Sequence, residues 1–268
     1  MKHIQKLSLT GLAVLSATML PGCSEDDVKE ALADNNATGL YVGCTGETQT
    51  SDLNNPCEDT QRTLVALVQG NKKYHIFYSA INDASEIAGV ITGTYELGGG
   101  GFSATGSFDY PINGTREITN VSANEPFSVA GFRSLEGGSI TAISGSTASF
   151  ALLSDTDKYN TAFAAPATTY NGSAGSLEGE QTIALALLGD NSFTATLSSG
   201  CAITAGSITT TGKALAVVSM TVATDPTNCG TLSAQTLSGV SYFEDGSLYI
   251  AALTGDKQDG LFISASLH

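Results

Sequence analysis

The chain is predicted to be all-β: two tandem small antiparallel domains, each a barrel or a sandwich, after a signal peptide and a flexible acidic tether. Two observations predict this class. Short apolar, β-branched and aromatic runs follow one another along most of the chain, separated by Gly, Asn, Asp and Pro, the pattern of strands joined by tight turns. The composition agrees, with 30 glycines, many Ser and Thr, no Trp and only 14% charged residues. Pro166 and the small residues around it place the domain boundary within residues 164–169, giving a first domain over 39–165 and a second over 166–268. Helix is expected only over residues 27–34, where an acidic start precedes Val28, Ala31 and Leu32.

In the first domain, strands are expected at residues 63–69 and 73–81, flanking Gly70-Asn71 as a hairpin. Along the second of these, Tyr74, Ile76 and Tyr78 alternate with His75, Phe77 and Ser79. Aromatic residues fall on both faces, so both faces are expected to be covered. Further strands are expected at 86–97, 102–109, 115–121, 127–132, 139–144 and 148–154. The run Gly98-Gly99-Gly100-Gly101 reads as a turn rather than a phosphate cradle, because no helical segment and no Lys follow it.

The second domain repeats the style, with strands expected at 181–188, 192–198, 201–209, 214–222, 236–243, 247–253 and 261–266. Asp245-Gly246 is its clearest two-residue hairpin signal. The two halves also echo one another. The run from Thr63 to Asn71, followed by Tyr74, is matched by the run from Thr182 to Asp190, followed by Phe193, and upstream Tyr41-Val42-Gly43 is matched by Tyr170-Asn171-Gly172. An internal duplication follows, with extra residues in the first copy about the length of the Cys44–Cys57 loop.

Cys23 stands apart from the other cysteines. It follows Leu20-Pro21-Gly22 and closes an apolar segment, residues 7–20, that begins after Lys2 and Lys6. This resembles the lipobox of bacterial lipoproteins, and the segment is shorter than the roughly 20 residues of a membrane-spanning helix. The resemblance implies a signal peptide over residues 1–22 and acyl chains, palmitate among them, on Cys23. It further implies a lipidated tether over 23–38 and attachment to the membrane without a span. Ser24 after the cysteine implies the outer membrane of a Gram-negative cell envelope, and Glu25-Asp26-Asp27 resembles an acidic surface-export tag, so the domains face either the periplasm or the surface.

Cleavage before Cys23 leaves 246 residues with nine basic against 26 acidic side chains. That surface repels nucleic acid, and no basic patch interrupts it, which excludes nucleic-acid partners. Cys44, Cys57, Cys201 and Cys229 remain, an even set that in an exported chain reads as two disulfides. Of the three connectivities the sequential one, Cys44 with Cys57 and Cys201 with Cys229, is favoured because each pair lies within one half. Neither pair has CxxC spacing or a nearby His, so no metal site is expected.

From Gly39 onward the chain is similar to uncharacterised two-domain all-β envelope lipoproteins. The similarity rests on Gly39-Leu40-Tyr41-Val42-Gly43, Tyr78-Ser79-Ala80 with Ile87-Ala88-Gly89-Val90, Ser199-Gly200-Cys201, the run from Thr236 to Phe243, and Asp259-Gly260-Leu261-Phe262. More loosely it resembles transferrin-binding-protein-like surface lipoproteins, which implies architecture only.

Residues with catalytic chemistry are few. His3 lies in the expected leader, His268 is the last residue, and only His75 falls in a strand; a Ser-His-Asp site would have to use it, but a partly exposed strand histidine without a catalytic role is the expected reading. No Gly-x-Ser-x-Gly or His-Glu-x-x-His motif occurs. Asp155 with Asp157, and Asp256 with Asp259, are carboxylate pairs in turn-rich sequence, better read as solvated loops than as a calcium or glycosidase site. The expectation is a membrane-anchored, non-catalytic binding protein without a cofactor, holding a small apolar ligand or a protein partner. Tyr41, Tyr74, Phe77 and Tyr78 are the candidate ligand contacts. An envelope enzyme, an inhibitor of a periplasmic enzyme, and a structural part of a surface assembly are the alternatives.

Overall fold

The computed structural model describes residues 37–46, 57–81, 83–98, 101–111, 117–124, 127–129, 132–142, 145–176 and 178–267. Residues 1–36, with Cys23, the signal peptide expected over 1–22, the helix expected over 27–34 and all but the last two residues of the tether expected over 23–38, lie outside the described residues. The all-β expectation holds, and both domains are closed barrels rather than sandwiches.

The first barrel is built from β1 (Gly39–Thr45), β2 (Thr63–Val68), β3 (Lys73–Ala80), β4 (Asp83–Thr94), β6 (Gly101–Pro111), β7 (Glu117–Asn124), β9 (Phe132–Ala142) and β10 (Thr147–Ser154). Each pairs antiparallel with the next, and β10 returns to β1 to close the ring. Two short strands, β5 (Glu96–Gly98) and β8 (Phe127–Val129), hang on β6 and β9. The segment expected as a single strand over 127–132 is thus divided, since β8 ends at Val129 and pairs back on the start of β9. The glycine run does join two strands, with Gly98 opposite Gly101.

The second barrel closes in strict chain order: β11 (Thr169–Ser176), β12 (Gly179–Leu187), β13 (Ser192–Leu197), β14 (Ala202–Thr210), β15 (Leu215–Val222), β16 (Thr236–Glu244), β17 (Ser247–Leu253) and β18 (Gly260–Leu267). Asp245-Gly246 forms the expected hairpin, with both residues at positive φ and Glu244 opposite Ser247. Two short helices were not expected: α1 (Thr156–Asn160) and α2 (Pro226–Cys229). Asp155 and Asp225 cap them by accepting from Lys158 N and from Thr227 N and Asn228 N. A single capped turn needs no apolar periodicity, so the amphipathic signal that marks longer helices is missing.

β1 and β11 were recognised only as parts of the sequence echo, yet they show how deep that echo runs. Tyr41 lies opposite Ala66 and Gly43 opposite Leu64; Tyr170 lies opposite Leu185 and Gly172 opposite Ile183. Each tyrosine hydroxyl donates to the carbonyl four residues earlier, that of Ala37 or Pro166, at 2.8 Å. The β2–β3 and β12–β13 turns are equivalent as well. Lys72 and Asn191 both adopt positive φ, and Asn71 and Asp190 each accept through Oδ1 from the backbone N–H two residues on. Then Tyr74 faces Gly93 where Phe193 faces Gly206, each ring lying over the place a glycine leaves open.

Strand alternation fills the two interiors. Tyr41, Leu64, Tyr74, Ile76, Tyr78, Phe102, Phe150 and Leu152 pack inside the first barrel, and Tyr170, Leu185, Phe193, Ile203, Val218, Leu248, Ile250 and Ile263 inside the second. An eight-stranded ring is just wide enough to be filled this way. The sequential disulfides are present, with Cα separations of 5.4 Å for Cys44–Cys57 and 4.8 Å for Cys201–Cys229. The first ties β1 to the connection that follows it, and the second ties the start of β14 to α2. Closing these loops contributes about 3 kcal/mol each in the chain-entropy view.

A third apolar cluster joins the barrels through their outer faces. Leu40, Leu67, Phe77, Val90 and Tyr110 of the first meet Leu215, Val240, Tyr242, Ala251 and Phe262 of the second. The Tyr110 and Phe262 rings are 5.0 Å apart, and Tyr110 Oη donates to the Lys257 carbonyl at 2.6 Å. Residues 155–168 connect the barrels and are docked rather than loose. Asp155 N donates to Leu40 O, Ala214 N donates to Tyr159 O, and Lys158 pairs with Glu244.

Ser241 is an exception to the satisfied interior. It is fully buried, and its Oγ has no hydrogen-bond partner among the described residues. A hydroxyl in that position forfeits its hydration without recompense. Ser241→Ala is therefore expected to raise stability by about 1 kcal/mol, read as a higher urea midpoint at unchanged slope; a lower midpoint would show that the hydroxyl is bonded.

Candidate ligand cleft between the barrels

The contact between the barrels has two halves with different chemistry. Where the facing strands present Leu, Phe, Val and Tyr it is sealed. Further along the same strands the residues turn polar, the surfaces part, and a cleft of about 290 Å³ opens. The first barrel supplies Gln69, Lys73, His75, Thr92 and Phe108; the second supplies Val217, Ser238, Val240, Leu253, Thr254 and Lys257.

Register explains the grouping. Period-2 alternation puts Lys73, His75 and Phe77 of β3 on the outer face, opposite Thr94, Thr92 and Val90 of β4. Thr92 in turn lies opposite Phe108 of β6. Along these strands the outer face therefore runs from polar to apolar, with Phe77 and Val90 in the seam and His75 and Thr92 at the cleft. Lys257 comes from the turn between β17 and β18, where it holds positive φ and its N–H donates to Thr254 O at 2.9 Å. The Tyr110 hydrogen bond pins this turn against the first barrel.

His75 is the central group of the cleft. Its side chain is 6% exposed, and its one hydrogen bond among the described residues joins Nδ1 to Thr92 Oγ1 at 3.0 Å. Burial, with the charges of Lys73 and Lys257 adding to it, lowers its pKa to about 3. The imidazole is therefore neutral at physiological pH. The contact joins Nδ1 to the threonine hydroxyl, and the tautomer of the neutral ring sets which of the two donates.

The four aromatic residues expected to contact a ligand are not brought together. Tyr41, Tyr74 and Tyr78 point into the first barrel, where Tyr74 Oη donates to Ser107 Oγ at 2.6 Å and Tyr78 Oη to Asp109 Oδ1 at 2.8 Å. Phe77 points outward into the seam, its ring 6.2 Å from that of Tyr249. Burial is the main force raising the pKa of Asp109, and Arg62 lies 5.4 Å over the Tyr78 ring. This polar group belongs to the barrel interior and lies on the opposite face of β3 from the cleft.

Three of the four acidic side chains have structural partners: Asp155 caps α1, Asp256 accepts from Thr254 Oγ1 at 2.6 Å, and Asp259 accepts from Thr231 Oγ1 and from Gly260 N. Asp259 is buried rather than solvated, which corrects the loop expectation for that residue. Among the described residues no group of three or more His, Cys, Asp or Glu gathers as a metal site. The expectation of a partly exposed strand histidine at position 75 is corrected, because the second barrel covers that face of β3 and leaves the residue 6% exposed; the sequence singles out none of Lys73, Thr92 and Lys257. The available signal was that His75 shares a face with Phe77, which marks it as covered. Nothing local marks Lys257, whose place depends on how the barrels dock.

Comparison with protein-family models, with curated proteins and with solved structures finds no match to this chain.

Proposed function

We propose that this chain is a non-catalytic binding protein of a bacterial cell envelope, holding a small ligand in the cleft between its barrels and tethered to the outer membrane by acyl chains on Cys23. The observation that carries the reading is the buried His75, whose ring has a single hydrogen-bond partner among the described residues and lines a cleft of mixed polar and apolar side chains. Small-molecule sites are concave and carry convergent polar groups that fix a ligand; here polar side chains predominate, with Phe108, Val217, Val240 and Leu253 as the apolar part. The filled barrel interiors favour the cleft over a lumen as the place for a ligand. The two disulfides fit an oxidising compartment, and the lipobox-like run before Cys23 supports the anchor.

Native mass spectrometry of the gently purified chain tests the binding role. A retained mass that denaturation releases, and that Ser238→Trp excludes by filling the cleft, is the expected result. The same mass on the Ser238→Trp protein would put the ligand elsewhere and overturn the reading. Metabolic labelling with an alkyne-bearing fatty acid tests the anchor: label should vanish on Cys23→Ala, and label that persists would sink it.

A further inference from the structure

We infer that the cleft reads a small planar ring with a cis-amide edge, an N–H beside a C=O as in a lactam, a cyclic imide or a nucleobase, paired edge to edge with the side-chain amide of Gln69. This rests on the reading of the cleft as a ligand site and adds the chemical class of ligand.

The state of Gln69 is the first support. The β2–β3 ladder carries on past Val68, because Gln69 N donates to Lys73 O at 2.9 Å, so Gln69 stands on the same outer face as Leu67. The residue is 4% exposed and lines the cleft. Its backbone carbonyl accepts from Tyr95 Oη at 2.9 Å and from Lys72 N at 3.2 Å, yet its side-chain amide has no hydrogen-bond partner among the described residues. Glutamine is seldom buried, and a buried amide without partners forfeits the hydration of a carbonyl and an NH2 group. What meets this amide is therefore whatever fills the cleft.

Its position relative to His75 is the second. His75 lies opposite Leu67, two residues before Gln69, and opposite Thr92 on its other side, so Gln69, His75 and Thr92 make one row across β2, β3 and β4. Diagonal neighbours of this kind stand about 7 Å apart, which puts the Gln69 amide and the His75 ring within reach of one small molecule. His75 Nδ1 is engaged with Thr92 Oγ1, while Nε2 has no partner among the described residues. Because the threonine hydroxyl can donate or accept, Nε2 can take the complementary role toward a further polar group on the ligand.

The chemistry of the amide narrows the ligand. Gln69 offers an acceptor and a donor side by side, and a cis-amide edge returns a donor and an acceptor in the matching order. A carboxylate sets one of its oxygens against Gln69 Oε1, and a hydrocarbon pairs with neither atom. Each displaces water and leaves a buried polar atom unpaired, the loss by which a hydrogen-bonding site rejects a wrong ligand most strongly. Lys73 and Lys257 also line the cleft but stand exposed, where solvent screens them. Phe108, Val240 and Leu253 offer apolar surface to the flat faces of a ring, and about 290 Å³ suits a mono- or bicyclic compound and not a lipid tail.

An isosteric pair of probes tests this: 2-quinolone, a lactam, and coumarin, in which a ring oxygen replaces the N–H. Both are titrated calorimetrically into the full chain in dodecyl maltoside, with micelles alone as the blank. The expected result is one site that binds 2-quinolone about tenfold or more tighter than coumarin. Gln69→Met should bring the two probes within about twofold of one another. Since the amide it removes has no partner in the protein, the same substitution should leave the melting temperature unchanged or raise it. Ser238→Trp should abolish both probes. Equal affinity for the two probes in the parent chain, a preference that survives Gln69→Met, or a melting temperature lowered by Gln69→Met overturns the amide pairing. If the probes nonetheless bind and Ser238→Trp removes them, the ligand cleft itself stands. Binding that survives Ser238→Trp overturns the pairing and the cleft together. Failure of both probes to bind overturns the pairing alone, and the retained mass in the native spectrum then decides on the cleft.

Discussion

Replacing Gly43 or Gly172 by alanine is expected to destabilise the protein by about 3 kcal/mol or more, the upper end of overpacking costs. The two glycines are equivalent, each two residues after the tyrosine that opens its barrel. A Cβ on Gly43 would stand 1.9 Å from the Ala151 carbonyl oxygen, and one on Gly172 would stand 2.0 Å from that of Ser264. Both obstructions are backbone atoms of the strand that closes the ring, so no rotamer change relieves them. The first strand must part from the last, and the closing pairs β1–β10 and β11–β18 carry the strain. Gly189→Ala is the control, because its Cβ meets nothing within 4 Å, and it should shift stability by less than about 1 kcal/mol. Urea unfolding of the three variants decides the matter. A cost under about 1 kcal/mol at Gly43 and Gly172 would mean that ring closure does not depend on that close approach.

The second large effect concerns acid. His75 has a folded pKa of about 3 against an ordinary value of 6.5. Between those values the unfolded chain binds a proton that the native state refuses, so stability rises with pH through this window and is lost as pH falls through it. The loss approaches about 1.4 kcal/mol per pH unit once the unfolded histidine is fully protonated. Asp109 acts with the opposite sign. Its burial raises its folded pKa, so protonating it favours the native state as pH falls toward the ordinary carboxylate value of 3.8. Asp109 titrates in both proteins, so the histidine effect is read as the difference between the parent and His75→Gln. As pH falls from 7 to 5, denaturant midpoints of the parent should drop relative to those of His75→Gln, which cannot take up the proton. Parallel pH profiles for the two proteins would show that His75 is not held neutral by its burial.

Both expectations draw on features that differ in how far they were legible beforehand. The two strands flanking the Gly70 turn, the Asp245-Gly246 hairpin and the paired cysteines each depend on residues close in sequence. So does the echo between the two halves, because β2 and β12 keep the same alternation and the same turn chemistry. The β-class, the covered double face of β3 and the sequential disulfides were legible for this reason. Helices of a single turn, at 156–160 and 226–229, escaped because a cap and one turn leave no periodic trace. The division of the 127–132 segment escaped because strand pairing, not composition, ends β8.

Of the expected ligand contacts, aromatic character alone could not say which face of a strand meets a barrel interior and which meets another barrel. Tyr74 and Phe77 differ only by parity, yet one fills a lumen and the other a seam. Alternation along the chain by itself determined that both faces of β3 are covered, since local sterics and burial act over neighbouring residues. Only the tertiary structure decided what covers them, closing each sheet into a ring and bringing Lys257 to His75 across 182 positions of chain. That meeting is set by the fit of two outer surfaces, and no periodicity within either strand encodes it.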